Sequence, residues 1–159
     1  MADVNSFLEV YGKEVGLPNL KFGENSVCSL TFDSTINVDI AYREDQDQCI
    51  FAAKIGDIPV EGKEVLYESL LKANAFGVDT AGASLGIDEE NNSIVLSFVF
   101  LTQSFSYDLF KTVLNNFVDL VEDWTKKYEE LLSASQMAGG SSGASMPQDP
   151  MASYNFARV

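Results

Sequence analysis

Length, composition and charge set the first limits on this chain. It has 159 residues, of which 46% are hydrophobic, and a formal net charge of −14 at pH 7. These values predict one globular domain with a sizeable core. The acidic charge is spread along the chain, which excludes the basic footprint that nucleic acids and anionic membranes require.

The sequence also argues against export and catalysis. No apolar stretch approaches the roughly 20 residues of a membrane helix. The N-terminal sequence MADVNSFLEVYGKE lacks the basic start and apolar core of a signal peptide, so we expect a cytoplasmic protein. Histidine is absent, which removes the most common general base and metal ligand. We expect no catalytic residues, cofactor or metal, and we interpret Glu89 and Glu90 as part of a solvated turn.

The first half of the chain predicts a helix followed by three strands. From Asp3 to Gly16 the apolar residues fall on one helical stripe, which includes Phe7 and Tyr11. The runs VCSLTF, INVDIAY and CIFAAKI follow, with short polar connectors between them. Such connectors predict a three-stranded antiparallel meander.

Cys28 and Cys49 lie within these strand-like runs. Their spacing matches no metal or redox motif, and neither has a basic neighbour in the sequence that would lower its pKa. We therefore expect both to be buried structural residues.

The second half predicts a helix, two strands and a long final helix. The helix is GKEVLYESLLKANAFG, and the strands ASLGID and SIVLSFVFL are joined by the turn EENN. Apolar residues then keep helical spacing from Tyr107 to Leu132, and Trp124 on this stripe is expected in the core. The order α-β-β-β-α-β-β-α predicts an α+β domain over residues 1–132 with an antiparallel sheet.

The stretch LLKANAFGVDTAGASLGID contains three glycines but does not fit a phosphate-binding loop. Phosphate loops lie between a strand and a helix, whereas here a helix precedes a strand. Gly77 fits a left-handed helix cap. Gly82 and Gly86 permit close approach of another backbone, and this reasoning leaves open a second copy of the chain or a plain loop.

The segment LYESLLKANAFGVDTAGASLGIDEENNSIVLSFVF, followed by a long amphipathic helix with a late tryptophan, resembles class I type III secretion chaperones. This family includes the Tir and YopE chaperones, and the resemblance covers about residues 3–132. It implies a homodimer without enzymatic activity. Such a dimer binds an N-terminal segment of one or more secreted effectors and delivers it to components of the secretion apparatus, among them its ATPase.

The resemblance also implies where each partner binds. It places the dimer interface on the second helix and the following strand, with the candidates Leu70, Ala73, Phe76, Leu85 and Ile87. We expect an extended effector segment to cover apolar side chains of the first helix and the first three strands. The candidates are Phe7, Tyr11, Leu30, Phe32, Val38, Ile40 and Phe51, and periodicity does not say which sheet face is available.

Two alternatives fit the same layout. One is a carrier of a small hydrophobic ligand, because a curved sheet closed by a helix can enclose an apolar cavity. The other is an assembly factor unrelated to secretion. A monomer with a sealed cavity favours the carrier, whereas a dimer with apolar surface grooves favours the chaperone.

The composition changes after Leu132. Residues 133–159 are rich in Ser, Ala, Gly, Met and Pro, which predicts a disordered tail. Near its end the sequence SYNFARV, with Tyr154 and Phe156, is a candidate docking motif for the export apparatus.

Overall fold

Residues 4–138, which the computed structural model describes, form a five-stranded antiparallel sheet packed with three helices. The elements are α1 (Val4–Glu14), β1 (Val27–Phe32), β2 (Ile36–Arg43), β3 (Gln48–Asp57), α2 (Lys63–Asn74), β4 (Ser84–Asp88), β5 (Ser93–Leu101) and α3 (Tyr107–Ala138). Short 3₁₀ turns occur at Glu44–Gln46, Ala75–Gly77 and Thr102–Ser104. The predicted α+β class is confirmed. No helix in this part of the chain combines the length and apolarity that a bilayer crossing demands.

The strands lie in the order β1-β2-β3-β5-β4, so β1 and β4 form the two edges. The N-terminal meander pairs in the register Cys28↔Ile40 and Ile40↔Phe51. Phe51 lies opposite Phe98 of β5. Because side chains alternate along each strand, these rows place one apolar set on a single face of the sheet.

Helix α3 covers this face and completes the core. Phe51 is fully buried there, with its ring centroid 5.1 Å from that of Phe100, 5.7 Å from Phe110 and 5.8 Å from Phe117. Trp124 is also buried, as expected, and its indole N–H donates to the carbonyl oxygen of Asp79 at 3.2 Å. The core therefore needs both the meander and the last helix.

The final helix is longer than the sequence pattern predicts. It ends at Ala138, so the boundary placed after Leu132 is corrected, and residues 133–138 are helical rather than disordered. Large apolar side chains at helical spacing mark α3 as far as Leu132, whereas residues 133–138 are mostly Ser, Ala and Gln and carry no such pattern. The rest of the predicted tail, including SYNFARV, lies outside the described residues.

The glycines after α2 close a loop within the chain. Gly77 and Gly82 both have positive φ, +65° and +84°, and the Gly82 N–H donates to the Gly77 carbonyl at 3.0 Å. A Cβ on Gly77 would lie 3.5 Å from the Cα of Gly82. The close backbone approach is therefore intramolecular for this pair, while Gly86 has open space around it.

Candidate functional site

Most of the predicted cargo-binding residues lie in the core. Tyr11, Leu30, Val38, Ile40 and Phe51 are all buried. They belong to the side of α1 and the sheet face that pack against each other and against α3, so they are not accessible to a cargo in this conformation. Their role in cargo binding stays a prediction, because the alternation that suggested a binding face also marks the face that the helices cover.

Phe7 and Phe32 are the two candidates that remain partly exposed. Phe7 lies on α1 with its ring centroid 5.6 Å from Phe110 and 6.2 Å from Tyr107. Phe32 is the last residue of β1, opposite Ile36 across the turn into β2. Two of the predicted cargo contacts, one aromatic side chain on α1 and one at the end of the edge strand, therefore remain accessible.

Strand β1 has an open edge between these two positions. The Tyr42 N–H donates to the Ser26 carbonyl, so in the antiparallel register Cys28, Leu30 and Phe32 direct their backbone groups toward β2. The backbone groups of Val27 point outward and are satisfied by Gly23 and Asn25. Those of Ser29 and Thr31 also point outward and have no backbone partner within the described residues.

A groove of about 480 Å³ lies where β1 ends, and we call it the hairpin groove. It is lined by Asp33, Thr35, Ile36, Asn37, Lys54, Ile55, Gly56, Val121, Glu122, Thr125, Lys126 and Glu129. The β1–β2 turn bounds one side, α3 bounds the other, and β3 lies beneath. Its apolar lining residues are Ile36, which is partly exposed, and Ile55 and Val121, which are buried beneath it.

The charges of the hairpin groove are unbalanced. Lys54 forms an ion pair with Asp57 at 2.7 Å, and Lys126 pairs with Glu122 at 2.7 Å. Asp33 and Glu129 have no cationic partner among residues 4–138. Since both lysines are already paired, the groove presents a net negative rim around an apolar floor.

The predicted dimer contacts divide into two groups. Leu70, Ala73 and Leu85 are buried within one chain, where they hold α2 against β4 and α3, and their place in an interface stays a prediction. Phe76 is 100% exposed, and Ile87 is about half exposed. Phe76 also has a φ of +61°, a left-handed conformation that is costly for a bulky residue.

Leu71 and Val78, two exposed apolar residues near Phe76 in the sequence, are not among the predicted contacts. Leu71 is 70% exposed and Val78 is 79% exposed. Leu71 lies on α2, where only Leu66, Leu70 and Ala73 are buried. A strict helical wheel would have separated Leu71 from that stripe, whereas no sequence signal marks Phe76 as exposed.

Asn74 explains how α2 is fixed to the edge strand. Its carboxamide N–H donates to the Leu85 carbonyl at 2.9 Å, and its oxygen accepts from the Leu85 N–H at 2.8 Å. The side chain thereby imitates a neighbouring strand and closes that position of the β4 edge.

Replacing Asn74 with alanine is expected to lower the free energy of unfolding by about 1–3 kcal/mol, because two part-buried backbone groups of Leu85 lose their partner. Denaturant titration measures the difference. Asn91→Ala is the matched control, since the Asn91 amide bonds only the exposed Asp88. Equal, small costs for both variants would contradict this role of Asn74.

The two thiols are buried, and neither forms a disulfide. Burial raises the pKa of Cys49 to about 12. Burial, with a smaller contribution from the charge of Asp39, also raises the pKa of Cys28. Both effects disfavour the reactive thiolate.

Neither thiol is therefore expected to react with a disulfide reagent such as DTNB at pH 8 while the chain is folded. At that pH a pKa near 12 leaves only about one Cys49 side chain in ten thousand ionised. Absorbance should report two reactive thiols after denaturation with guanidinium. Rapid modification of the native protein would show that one of them is accessible.

The fold is shared with known secretion chaperones. The crystal structure of the ExsC–ExsE complex matches with a TM-score of 0.70 and 24% identity, covering 77% of this chain and 91% of that chain. The Yersinia pestis type III secretion chaperone SycH, in complex with a stable fragment of YscM2, matches with a TM-score of 0.58 and 20% identity, covering 77% and 99%. At these identities the two structures show the fold.

The sequence comparisons identify the family. Residues 6–125 match the Tir chaperone protein (CesT) family, and the chain belongs to this family. The transcriptional anti-antiactivator ExsC of Pseudomonas aeruginosa is 25% identical over 123 residues, which are 77% of this chain and 83% of that protein. The resemblance inferred from the sequence is confirmed.

Proposed function

We propose that this chain is a cytoplasmic, homodimeric type III secretion chaperone without enzymatic activity. It binds an extended N-terminal segment of one or more effectors, keeps that segment export-competent and delivers it to the secretion apparatus, including its ATPase. The observation that carries the proposal is the open edge of β1 beside an apolar, acidic-rimmed groove. Membership of the Tir chaperone family supports it, as do the complexes in which ExsC and SycH were solved.

The geometry suits an extended cargo. The outward N–H and C=O groups of Ser29 and Thr31 pair with a cargo strand, which requires little of the cargo sequence. Alternate cargo side chains enter the hairpin groove and pack on Ile36, which is only partly buried. Basic cargo residues are favoured at the rim because Asp33 and Glu129 are unpaired.

This arrangement favours a cargo that is unfolded before it binds. A chain ordered on binding loses conformational entropy, so a stable complex needs a large contact area. Phe7 on α1 and Phe32 at the end of β1 extend the apolar surface beyond the hairpin groove. The cargo thereby stays extended while its apolar side chains are shielded, which is the state that export through a narrow channel requires.

The experiment begins by capturing cargo from the native cytoplasm with the full chain and identifying it by mass spectrometry. Amide hydrogen exchange is then measured with and without the N-terminal fragment of that cargo. We expect protection within residues 4–55, with slower hydrogen exchange at the amides of Ser29 and Thr31. Protection confined to α3, or uptake of a small hydrophobic ligand instead of a peptide, would overturn the proposal.

A pair of variants tests the hairpin groove itself. Ile36→Asp places a charge on the apolar floor and is expected to weaken cargo binding at least ten-fold, which corresponds to about 1.4 kcal/mol. Gln103→Asp adds the same charge at an exposed site after β5 and serves as the control. Equal affinities for the two variants by calorimetry would exclude this groove as the cargo site.

The carrier hypothesis is less well supported by the same geometry. A carrier needs an enclosed cavity that buries most of its ligand, whereas the hairpin groove opens to solvent between the β1–β2 turn and α3. The family match likewise favours a chaperone over an assembly factor unrelated to secretion.

A further inference from the structure

Strand β5 has a second open edge, distinct from the edge of β1. The pairing with β4 ends at Ser84↔Ser97, while β5 continues to Leu101. Asn74 bonds the outward groups of Leu85, so Leu96, which faces Leu85, directs its backbone groups toward β3. By alternation, the backbone groups of Val99 and Leu101 point to the β4 side of the strand, beyond the last β4 pair.

These four backbone groups have no backbone hydrogen-bond partner among residues 4–138. The side chains of Val99 and Leu101 are 51% and 58% exposed on the uncovered sheet face. An exposed edge bordered by apolar side chains is a site for pairing with a further strand.

An apolar groove lies on the opposite, helix-covered side of the same edge. Its volume is about 190 Å³, and its lining is Ala81, Ala83, Phe98, Val113, Asn116, Phe117 and Leu120. The side chains of Phe98, Val113 and Leu120 are only partly buried. A strand paired with Val99 and Leu101 would direct every second side chain into this groove.

The chain contains a segment with the matching pattern. After α3 the sequence continues through residues 139–159, where Tyr154 and Phe156 are two positions apart. The small or polar residues Ser153, Asn155 and Ala157 alternate with them. This period of two places both aromatic rings on one side of an extended segment.

We propose that residues 153–157 pair with the free edge of β5 in the same protomer. Tyr154 and Phe156 fill the groove beside Phe98, and the alternating small residues lie on the side of Val99 and Leu101. This assigns the SYNFARV segment a partner within its own chain, in place of the export apparatus expected from the sequence.

The connecting chain is long enough for this contact. From Phe117 to the end of α3 at Ala138 the helix spans about 32 Å, at roughly 1.5 Å per residue. The 15 residue steps from position 138 to position 153 extend to about 50 Å at most. The segment is therefore long enough to reach this groove, and tethering gives it a local concentration in the millimolar range, about that of a short flexible linker.

Charge does not oppose the contact. Among residues 150–159 the one charged side chain is Arg158, so the acidic body attracts the segment weakly rather than repelling it. The docked strand protects an apolar edge against association with other chains. The open groups of Ser29 and Thr31 stay available for cargo, so the inference goes beyond the proposed function and does not depend on it.

The test compares amide hydrogen exchange in three proteins: the full chain, a chain ending at residue 138, and a full chain with Tyr154→Asn and Asn155→Tyr. The last variant keeps the composition but moves the two aromatic rings to opposite sides of an extended segment. In the full chain the amides of Val99 and Leu101 are expected to exchange about ten-fold more slowly than in the other two. The amides of Ser29 and Thr31 serve as the internal reference and should not change.

Two outcomes overturn the proposal. Equal exchange of Val99 and Leu101 in all three proteins would show that the segment does not bind this edge. Slower exchange in a labelled chain ending at residue 138, after mixing with unlabelled full chain, would place the segment on another protomer. The variant with Tyr154→Asn and Asn155→Tyr retains all 159 residues, so it stays informative even if the shortened chain does not fold.

Discussion

Replacing Phe51 with alanine is expected to lower the free energy of unfolding by about 3–5 kcal/mol, a large part of the stability of an ordinary domain. Phe51 is fully buried, and its ring meets Phe100 from β5 and both Phe110 and Phe117 from α3. Removing it opens a cavity where the meander, β5 and the last helix come together. Denaturant titration at one fixed protein concentration measures the change.

The control is Ile50→Ala, one residue earlier on the opposite sheet face. Ile50 is only partly buried and no helix packs over it, so a cost well below that of the Phe51 variant is expected. A fixed concentration is needed because the proposed dimerisation would contribute to apparent stability. Similar costs for both variants would mean that the two sheet faces are equally covered in solution.

Replacing Phe76 with asparagine is expected to raise the dissociation constant of the proposed dimer at least 100-fold. Phe76 is fully exposed in one chain, and exposed aromatic anchors commonly carry 2 kcal/mol or more of binding energy. A two-fold interface contains the residue twice, so one substitution removes two contacts. Sedimentation velocity across a range of concentrations measures the shift toward monomer.

The folded chain itself should tolerate this change. The φ of Phe76 is +61°, a conformation that asparagine accepts more readily than phenylalanine. Leu17→Asn alters a half-exposed apolar residue after α1 and should leave the dimer intact. A Phe76→Asn protein with an unchanged dissociation constant would place the interface elsewhere.

Ala73 is a poor probe of the proposed dimer interface, although it is among the predicted contacts. It is buried between α2 and its neighbours within one chain. A glutamate there buries an unpaired charge, so Ala73→Glu is expected to unfold the chain and would not report on association.

The elements could be predicted from the sequence because each has a strong local pattern. The run VCSLTF coincides with β1, and SIVLSFVFL coincides with β5. The end of α3 was placed six residues too early, since small and polar residues such as Ser133 carry no amphipathic signal even where a helix continues.

Less of the candidate site could be predicted from the sequence. Alternation groups Leu30, Val38 and Phe51 on one face, but only the packing of α1 and α3 shows that this face is covered. The roles of Ser29, Thr31 and Asn74 depend on hydrogen-bond direction across strands, which no single-sequence pattern encodes.

The strand order has a consequence for how the chain is made. β3 pairs with β5, whose residues follow 36 to 53 positions later, from Asp57↔Ser93 to Gln48↔Leu101. At about 5–20 residues per second, the ribosome needs about 3–13 s to proceed from Asp57 to Trp124. The meander is synthesised seconds before the strand and helix that cover Phe51. The nascent chain therefore passes through a stage in which its own apolar strands need shelter, as the export substrate of a secretion chaperone does.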